Sequence, residues 1–293
     1  MPAIRTGLDI TPGVITAAQV RVSRAGWSLL RHATMARRAG GEVLSHQEAI
    51  ELESVLFRRG FAPAPCVIGA PEGALKTATL ELPPVSSGAP IDQLARSEFA
   101  RRTKLDAESF ELSYWSLPTP GPAVQVMAVG CLMAATDAVI DSLELAGLRV
   151  AGVDDPSRAL GRVLAAAPTA ATVRVGARLD PWGSHIIVLH DSTLLYARTP
   201  SGLRLGGEHA DAEVARRLST EIDACISFAR HRCRSHAPAS ISVLGFGATN
   251  QTVLEVLGHK FSNAMTRPLD RAGQEIDGTL AAAIGLALLE DLA

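Results

Sequence analysis

The feature that most restricts how this 293-residue chain can fold is a strand–turn–strand pattern that occurs twice, on either side of an α/β stretch. Ile4 to Ile10 and Val14 to Val22 read as strands around Thr11-Pro12-Gly13, a turn that can continue neither of them. A third strand near Trp27 to His32 extends the hairpin into a meander. The same order returns with Thr172 to Ala177, Ser184 to Leu189 and Thr193 to Thr199, the first two joined around Arg178–Gly183. A repeated α/β unit of this kind predicts two similar lobes, as an old duplication would leave.

Between the meanders, Ser45-His46-Gln47-Glu48 has the Ser-x-x-Glu form of a capping box, and Ala49, Leu52 and Leu56 follow at helical spacing until Gly60. Cys66 to Ala70 reads as a buried strand. Pro83-Pro84 and the Ser/Gly run through Pro90 read as a linker into a helix–strand–strand–helix unit. Its parts are about Ile91 to Arg102, Phe110 to Leu117, Val124 to Cys131 after a Pro118–Pro122 turn, and a helix capped by Thr136 that ends at Gly147. A helix at about Pro156 to Ala166 leads to the second meander. A long helix, about Asp211 to Arg232, carries Val214, Leu218, Ile222, Cys225 and Ala229 as a core-facing stripe. Ile241 to Leu244 then runs into Gly245-Phe246-Gly247-Ala248 and a helix from Thr249. Such a junction either lets backbone N–H groups approach a ligand or simply makes a tight turn. A last, small-residue helix spans Thr279 to Leu289. The expected division is a lobe I core at 1–82 with 153–168, an inserted subdomain at 83–152, and lobe II at 169–293, with the last helix free to pack on lobe I.

Charge is nearly balanced, 28 basic against 30 acidic residues, so nothing global draws the chain to nucleic acid or an anionic membrane. No stretch approaches the roughly 18 apolar residues of a membrane span, and Arg5 and Asp9 stand where a signal peptide needs apolar residues. The cytoplasm is the expected location. Cys66, Cys131, Cys225 and Cys233 lack CxxC spacing and read as buried free thiols; the histidine pairs lack partners at ligand spacing, so no metal site is expected. GxSxG, GxxxxGK[ST] and GxGxxG are absent.

The order of these parts resembles the actin-like ATPase superfamily, specifically its type IV pilus assembly branch of PilM-like proteins. Gly7-Leu8-Asp9-Ile10-Thr11-Pro12-Gly13 through Ala17-Ala18-Gln19-Val20 follows the outline of that family's first phosphate loop. Leu80-Glu81-Leu82-Pro83, Ser142-Leu143 through Ala146-Gly147-Leu148, Thr220-Glu221-Ile222 and Ala282-Ala283-Ile284-Gly285-Leu286-Ala287 resemble later family segments in the same order. The resemblance implies a two-lobed actin-like (ribonuclease H-like) α/β fold with a small inserted α/β subdomain.

Measured against that pattern, the phosphate-holding device is depleted. Asp9 survives, but Thr11 stands where the family has Gly, Pro12 removes an N–H donor, and Thr16 replaces a Lys. In the second loop Val173-Arg174-Val175-Gly176 stands for Val-Asp-Ile-Gly, a cation where a metal-organising carboxylate belongs. The subdomain forming one wall of the cleft in lobe II is expected to be missing, since Thr199-Pro200-Ser201-Gly202 leads directly to the long helix. Any residual nucleotide contact would fall to Asp9, Thr11, Gly13, Gly176, Gly245, Gly247 and Ala248, with no catalytic residue and no metal.

The expected role is therefore a non-catalytic scaffold of a type IV pilus or type II secretion-type assembly platform. The resemblance implies a partner, the cytoplasmic segment of a PilN-like inner-membrane protein, that would hold the chain to the membrane. Arg96, Arg101, Arg102 and Lys104 are the candidate partner surface, and homo-oligomerisation stays open. The alternative is an ATPase that switches or polymerises with ATP and Mg²⁺ as cofactors.

Overall fold

The computed structural model describes residues 3–24, 26–38, 43–71, 73–118, 124–167, 171–207, 209–234, 239–270 and 273–289. The expected Pro118–Pro122 turn falls largely outside them. β1 (Ala3–Ile10), β2 (Val14–Ser23) and β3 (Gly26–Ala36) form the first meander, α1 (His46–Arg58) crosses over, and β4 (Cys66–Gly69) returns parallel to β1. Val14 to Val20 is buried without a break because both faces of β2 are covered. Leu8, Ile15 and Ala17 share a core with α1, whereas Ala18 and Val20 face the other lobe. The expected capping box starts α1: Ser45 Oγ accepts from the Glu48 N–H at 3.2 Å, and Glu48 Oε2 accepts from the Ser45 N–H at 3.0 Å.

The inserted unit opens earlier than residue 83. β5 (Leu75–Leu82) pairs along its whole length with a later strand of the insertion, so Pro83-Pro84 lies within the unit and links β5 to α2 (Ile91–Thr103). β6 (Phe110–Ser116) and β7 (Val124–Leu132) complete a three-stranded sheet of order β5-β7-β6, filled by Phe99 and Phe110 at 5.0 Å between ring centroids. The helix placed last in the insertion, α3 (Met133–Leu145), packs beside α1 and sends Val139 and Leu143 into the lobe I core. Its cap is not Thr136, which lies inside the first turn and donates to the Met133 carbonyl at 2.9 Å.

β8 (Val150–Asp154) pairs in parallel with β4, and α4 (Pro156–Ala166) begins with Asp155 as N-cap and Pro156 in its first turn. The second lobe repeats the first. β9 (Val173–Asp180), β10 (Gly183–His190) and β11 (Thr193–Arg198) form the meander. α5 (Asp211–Cys233) follows, then β12 (Ala239–Leu244), a 3-10 turn at Gly245–Thr249, α6 (Gln251–Phe261), β13 (Met265–Thr266) and α7 (Ala281–Ala287). Asn250, not Thr249, caps α6 by accepting from the Val253 N–H at 3.1 Å. The two five-stranded sheets have matching orders, β3-β2-β1-β4-β8 and β11-β10-β9-β12-β13. The duplication read from the hairpins extends through both sheets.

Three devices tie the lobes together. Leu160, Val163 and Leu164 of α4 share a core with Ile187 and Leu189 of lobe II and with Ala18 and Val20 of lobe I. α7 lies against β1, β2, β4 and α4, so close that a side chain on Gly285 would overlap the Ala159 carbonyl and one on Gly7 the Ala283 carbonyl. The insertion reaches lobe II as well: the Trp115 indole N–H donates to the Leu194 carbonyl at 2.7 Å, and Arg232 donates to Gln125 at 2.8 Å.

Candidate functional site

The two meander turns face each other across the junction of the lobes. β9 does not end at Ala177 with a long turn; it runs on to Asp180, leaving only Pro181 and Trp182 to turn the chain. Arg178 and Asp180, read as part of the Arg178–Gly183 turn, are strand residues whose side chains pair with each other. The strand pairing fixes what Arg178 replaces. Asp9 lies opposite Thr16, the third residue of β2, and Arg178 lies opposite His185, the third residue of β10. Arg178 is thus the counterpart of Asp9 in the second lobe, four residues beyond Arg174. Arg174 points elsewhere, donating to the Leu164 and Ala167 carbonyls at the end of α4 at 2.5 and 3.1 Å.

The Arg178 side chain fills the space between the turns. Its Nη2 lies 2.8 Å from Asp9 Oδ2, an ion pair not aligned as a hydrogen bond, and its Nε donates to Asp180 Oδ2 at 2.5 Å. The Asp9 and Asp180 side chains are buried, and that of Arg178 is only 12% exposed. The other oxygen of Asp180 accepts the Phe246 N–H at 3.0 Å, so the glycine junction after β12 binds a carboxylate of the same chain. Gly245, at φ +67°, is required there because a side chain would collide with Asp180 Oδ1. Burial opposes charge on Arg178, but Asp9 and Asp180 outweigh it and hold the guanidinium protonated. Burial raises the Asp180 carboxyl above the usual range in spite of Arg178, and the neighbouring Asp9 charge adds to the rise. Two carboxylates around one guanidinium leave the cluster short of one positive charge, which reconciles the two directions.

The other polar groups nearby are also committed. Arg162 holds Asp154 at 2.6 Å, and Asp155 accepts the Ser157 N–H at 2.7 Å as the cap of α4. His185 sits half-buried between the hydroxyls of Ser157 (2.9 Å) and Thr199 (3.1 Å). Burial, and then the Arg178 charge, push its pKa down to about 4, so it is neutral. Over the top, Trp182 lies on Gly13: a β-carbon there would be 2.7 Å from Trp182 Cζ3. The same indole meets Phe246 edge to face, with centroids 5.5 Å apart at 82°.

Of the residues expected at a nucleotide site, Asp9, Thr11, Gly13, Gly245 and Gly247 do converge here. Thr11 spends its hydroxyl on the Val14 carbonyl at 2.6 Å, and Gly247 packs on Leu179. Gly176 lies instead in the core against Leu164, Ile187 and Leu244, and Ala248 packs on Gly278. Arg178 and Trp182 were missed because a charged residue and a Pro-Trp pair imitate a loop; counting strand pairs back from Ser184 would have aligned Arg178 with Asp9. Mg²⁺ and a polyphosphate do not fit this donor set. The carboxylates that would organise the ion are paired with a guanidinium, and the space beside the first loop holds an indole. Among the described residues no cluster of three or more His, Cys, Asp or Glu is arranged to hold a metal ion.

Three of the four residues of the expected partner surface also make contacts within the insertion, and Arg101, Arg102 and Lys104 stay exposed. Arg96 donates to the Ala107 and Phe110 carbonyls at 2.7 and 2.9 Å, while Arg101 and Arg102 share Glu98 at 2.7 and 2.8 Å. Lys104 is exposed and ends α2 in the left-handed conformation.

No protein-family model and no curated protein sequence matches the chain. Among solved structures it is similar to the PilM-PilN type IV pilus biogenesis complex, with a TM-score of 0.72 at 18% identity over 97% of each chain. It is also similar to the ethanolamine utilization protein EutJ of Carboxydothermus hydrogenoformans, with a TM-score of 0.51 at 14% identity over 99% of this chain and 91% of that one. The cytoplasmic domain of EpsL, an inner-membrane component of the type II secretion system of Vibrio cholerae, matches with a TM-score of 0.48 at 14% identity, covering 82% of each chain. The chain has the two-lobed actin-like fold, divergent in sequence from the structures that share it.

Proposed function

We propose that this protein is a non-catalytic actin-like scaffold of an inner-membrane assembly platform of the type IV pilus or type II secretion kind. In this reading it binds, on the cytoplasmic face, a segment of a PilN-like membrane protein between its inserted subdomain and lobe I. The observation that carries the reading is Arg178 held between Asp9 and Asp180. A tethered cation takes the place of the metal and phosphate, so the lobes are joined by the chain itself rather than by a ligand. The PilM likeness along the full chain supports the choice of machine. No helix among the described residues is long and apolar enough to cross a membrane, and in this reading the partner supplies the membrane contact.

The test is titration of the cytoplasmic segment of a PilN-like protein, encoded beside this chain, with and without millimolar Mg·ATP. Binding with the same affinity in both is expected. Binding that requires the nucleotide would overturn the scaffold reading.

A further inference from the structure

A groove of about 750 Å³ opens where lobe I, the insertion, α4 and lobe II meet. The start of β3 brings Trp27 to it, the end of β6 brings Trp115, and α4 brings Arg158 and Arg162. Arg5 and the hydroxyl residues Ser23, Ser116, Ser192 and Thr193 complete the polar lining, and no Asp or Glu is among the described residues that line it. The three arginines differ in what they have left to give. Arg5 donates to the Leu289 carbonyl, and Arg162 is held by Asp154 and by the Gly285 carbonyl at 3.0 Å. Arg158 has no hydrogen bond or ion pair among the described residues. Its guanidinium lies over the Trp115 ring, 5.3 Å from the centroid, and Trp115 is itself fixed by its hydrogen bond to Leu194. Stacking presents a planar donor without using its N–H groups.

The wall supplied by lobe I is the Trp27 ring, whose indole Nε1 is closed off from solvent and so faces away from the groove. An arginine stacked with its N–H groups free, two tryptophan walls and no carboxylate in the lining select for negative charge next to an apolar group.

We propose that this groove binds an acidic segment of a partner protein, with a carboxylate on Arg158 and an adjacent apolar side chain against Trp27 and Trp115. The inference rests on the scaffold reading for its purpose but not for its chemistry. Loss of binding here would leave the closed cleft unchanged, and a nucleotide requirement elsewhere would leave the groove unchanged.

The experiment uses the full chain and a blocked synthetic peptide, Asp-Glu-Phe-Asp-Glu-Leu, followed by the indole N–H resonances of Trp27 and Trp115. Both resonances are expected to shift, with saturation below about 1 mM. Arg158→Ala should weaken binding about tenfold, Arg158→Lys less so, and raising salt should weaken it further in the wild type. Melting curves identify any variant that fails to fold, and Trp27→Ala, which removes the apolar wall of lobe I and leaves Arg158 in place, then serves as the second probe and should also weaken binding. Equal binding of the Asn/Gln version of the peptide, unchanged affinity in Arg158→Ala, or no shift at about 5 mM peptide would overturn the proposal. Equal shifts with inorganic phosphate alone would also overturn it, assigning the groove to small anions. Glu290 and Asp291 follow Leu289 in the sequence; peptide binding seen only after Glu290→Gln and Asp291→Asn would overturn it in favour of the chain's own tail.

Discussion

Arg178 has no counterpart in chemistry to a bound ligand that can leave. Its charge is fixed at any pH the fold survives, and its two carboxylate partners come from different lobes and different strands. A buried ion cluster of this kind adds little stability relative to an apolar core, but removing one member is expensive. Arg178→Ala is therefore expected to cost about 3–5 kcal/mol in chemical denaturation, the penalty for leaving Asp9 and Asp180 facing each other without a cation. The pH dependence follows from Asp180, whose carboxyl is raised in the folded state. The folded chain binds more protons than the unfolded one across the window above the usual carboxylate range, so stability falls as pH rises through it. Without Arg178 that slope should steepen, making the variant relatively better at pH 5 than at pH 8. A flat comparison would mean the carboxylates are not coupled. None of this was legible in the sequence, where Arg178 looks like the first residue of a polar turn. Asp9 was legible because its segment, Gly7 through Gly13, resembles the first phosphate loop of the actin-like family.

At the scale of elements, α1 shows how a local signal and a distant contact combine. The capping box at Ser45 is visible in the sequence, but the buried fork from Arg37 to Glu48, at 3.1 and 3.3 Å, depends on β3 running as far as Ala36. Burial alone would raise the Glu48 carboxyl, yet the hydrogen bonds from Arg37 and Ser45 win and lower it to about 2. The stability this supplies is complete above the ordinary value of 4.5 and is lost as pH falls toward 2. Glu48→Gln should flatten that acid limb of the stability curve, and an unchanged limb would show that other carboxylates set it. α7 gives a second test. Gly285→Ala must separate α7 from α4, because the new methyl meets the Ala159 backbone; a loss of about 3 kcal/mol or more is expected, with both lobes unfolding in one transition. β5, for which no strand was read from the sequence, and α3, read as the end of the insertion, have ordinary patterns. Only pairing with β7 and packing beside α1 assign them, and such contacts leave no mark in local periodicity.

For the whole molecule, the duplicated meander was the most readable feature, because turn residues and alternation are local. What the duplication is used for was not, since it depends on contacts between the copies. α4 and α7 form a shared core between the sheets, the insertion hydrogen-bonds to lobe II, and Arg178 with Trp182 closes the gap between the turns. A protein that switches by nucleotide-driven closure needs an opening that a ligand can stabilise; here that volume is occupied by side chains of both lobes. The most direct test is the melting temperature of the full chain with and without about 5 mM Mg·ATP, since any ligand that binds the folded state alone must raise it. Superimposable curves are expected for the wild type; a rise of several degrees would contradict a cleft closed by Arg178 and Trp182.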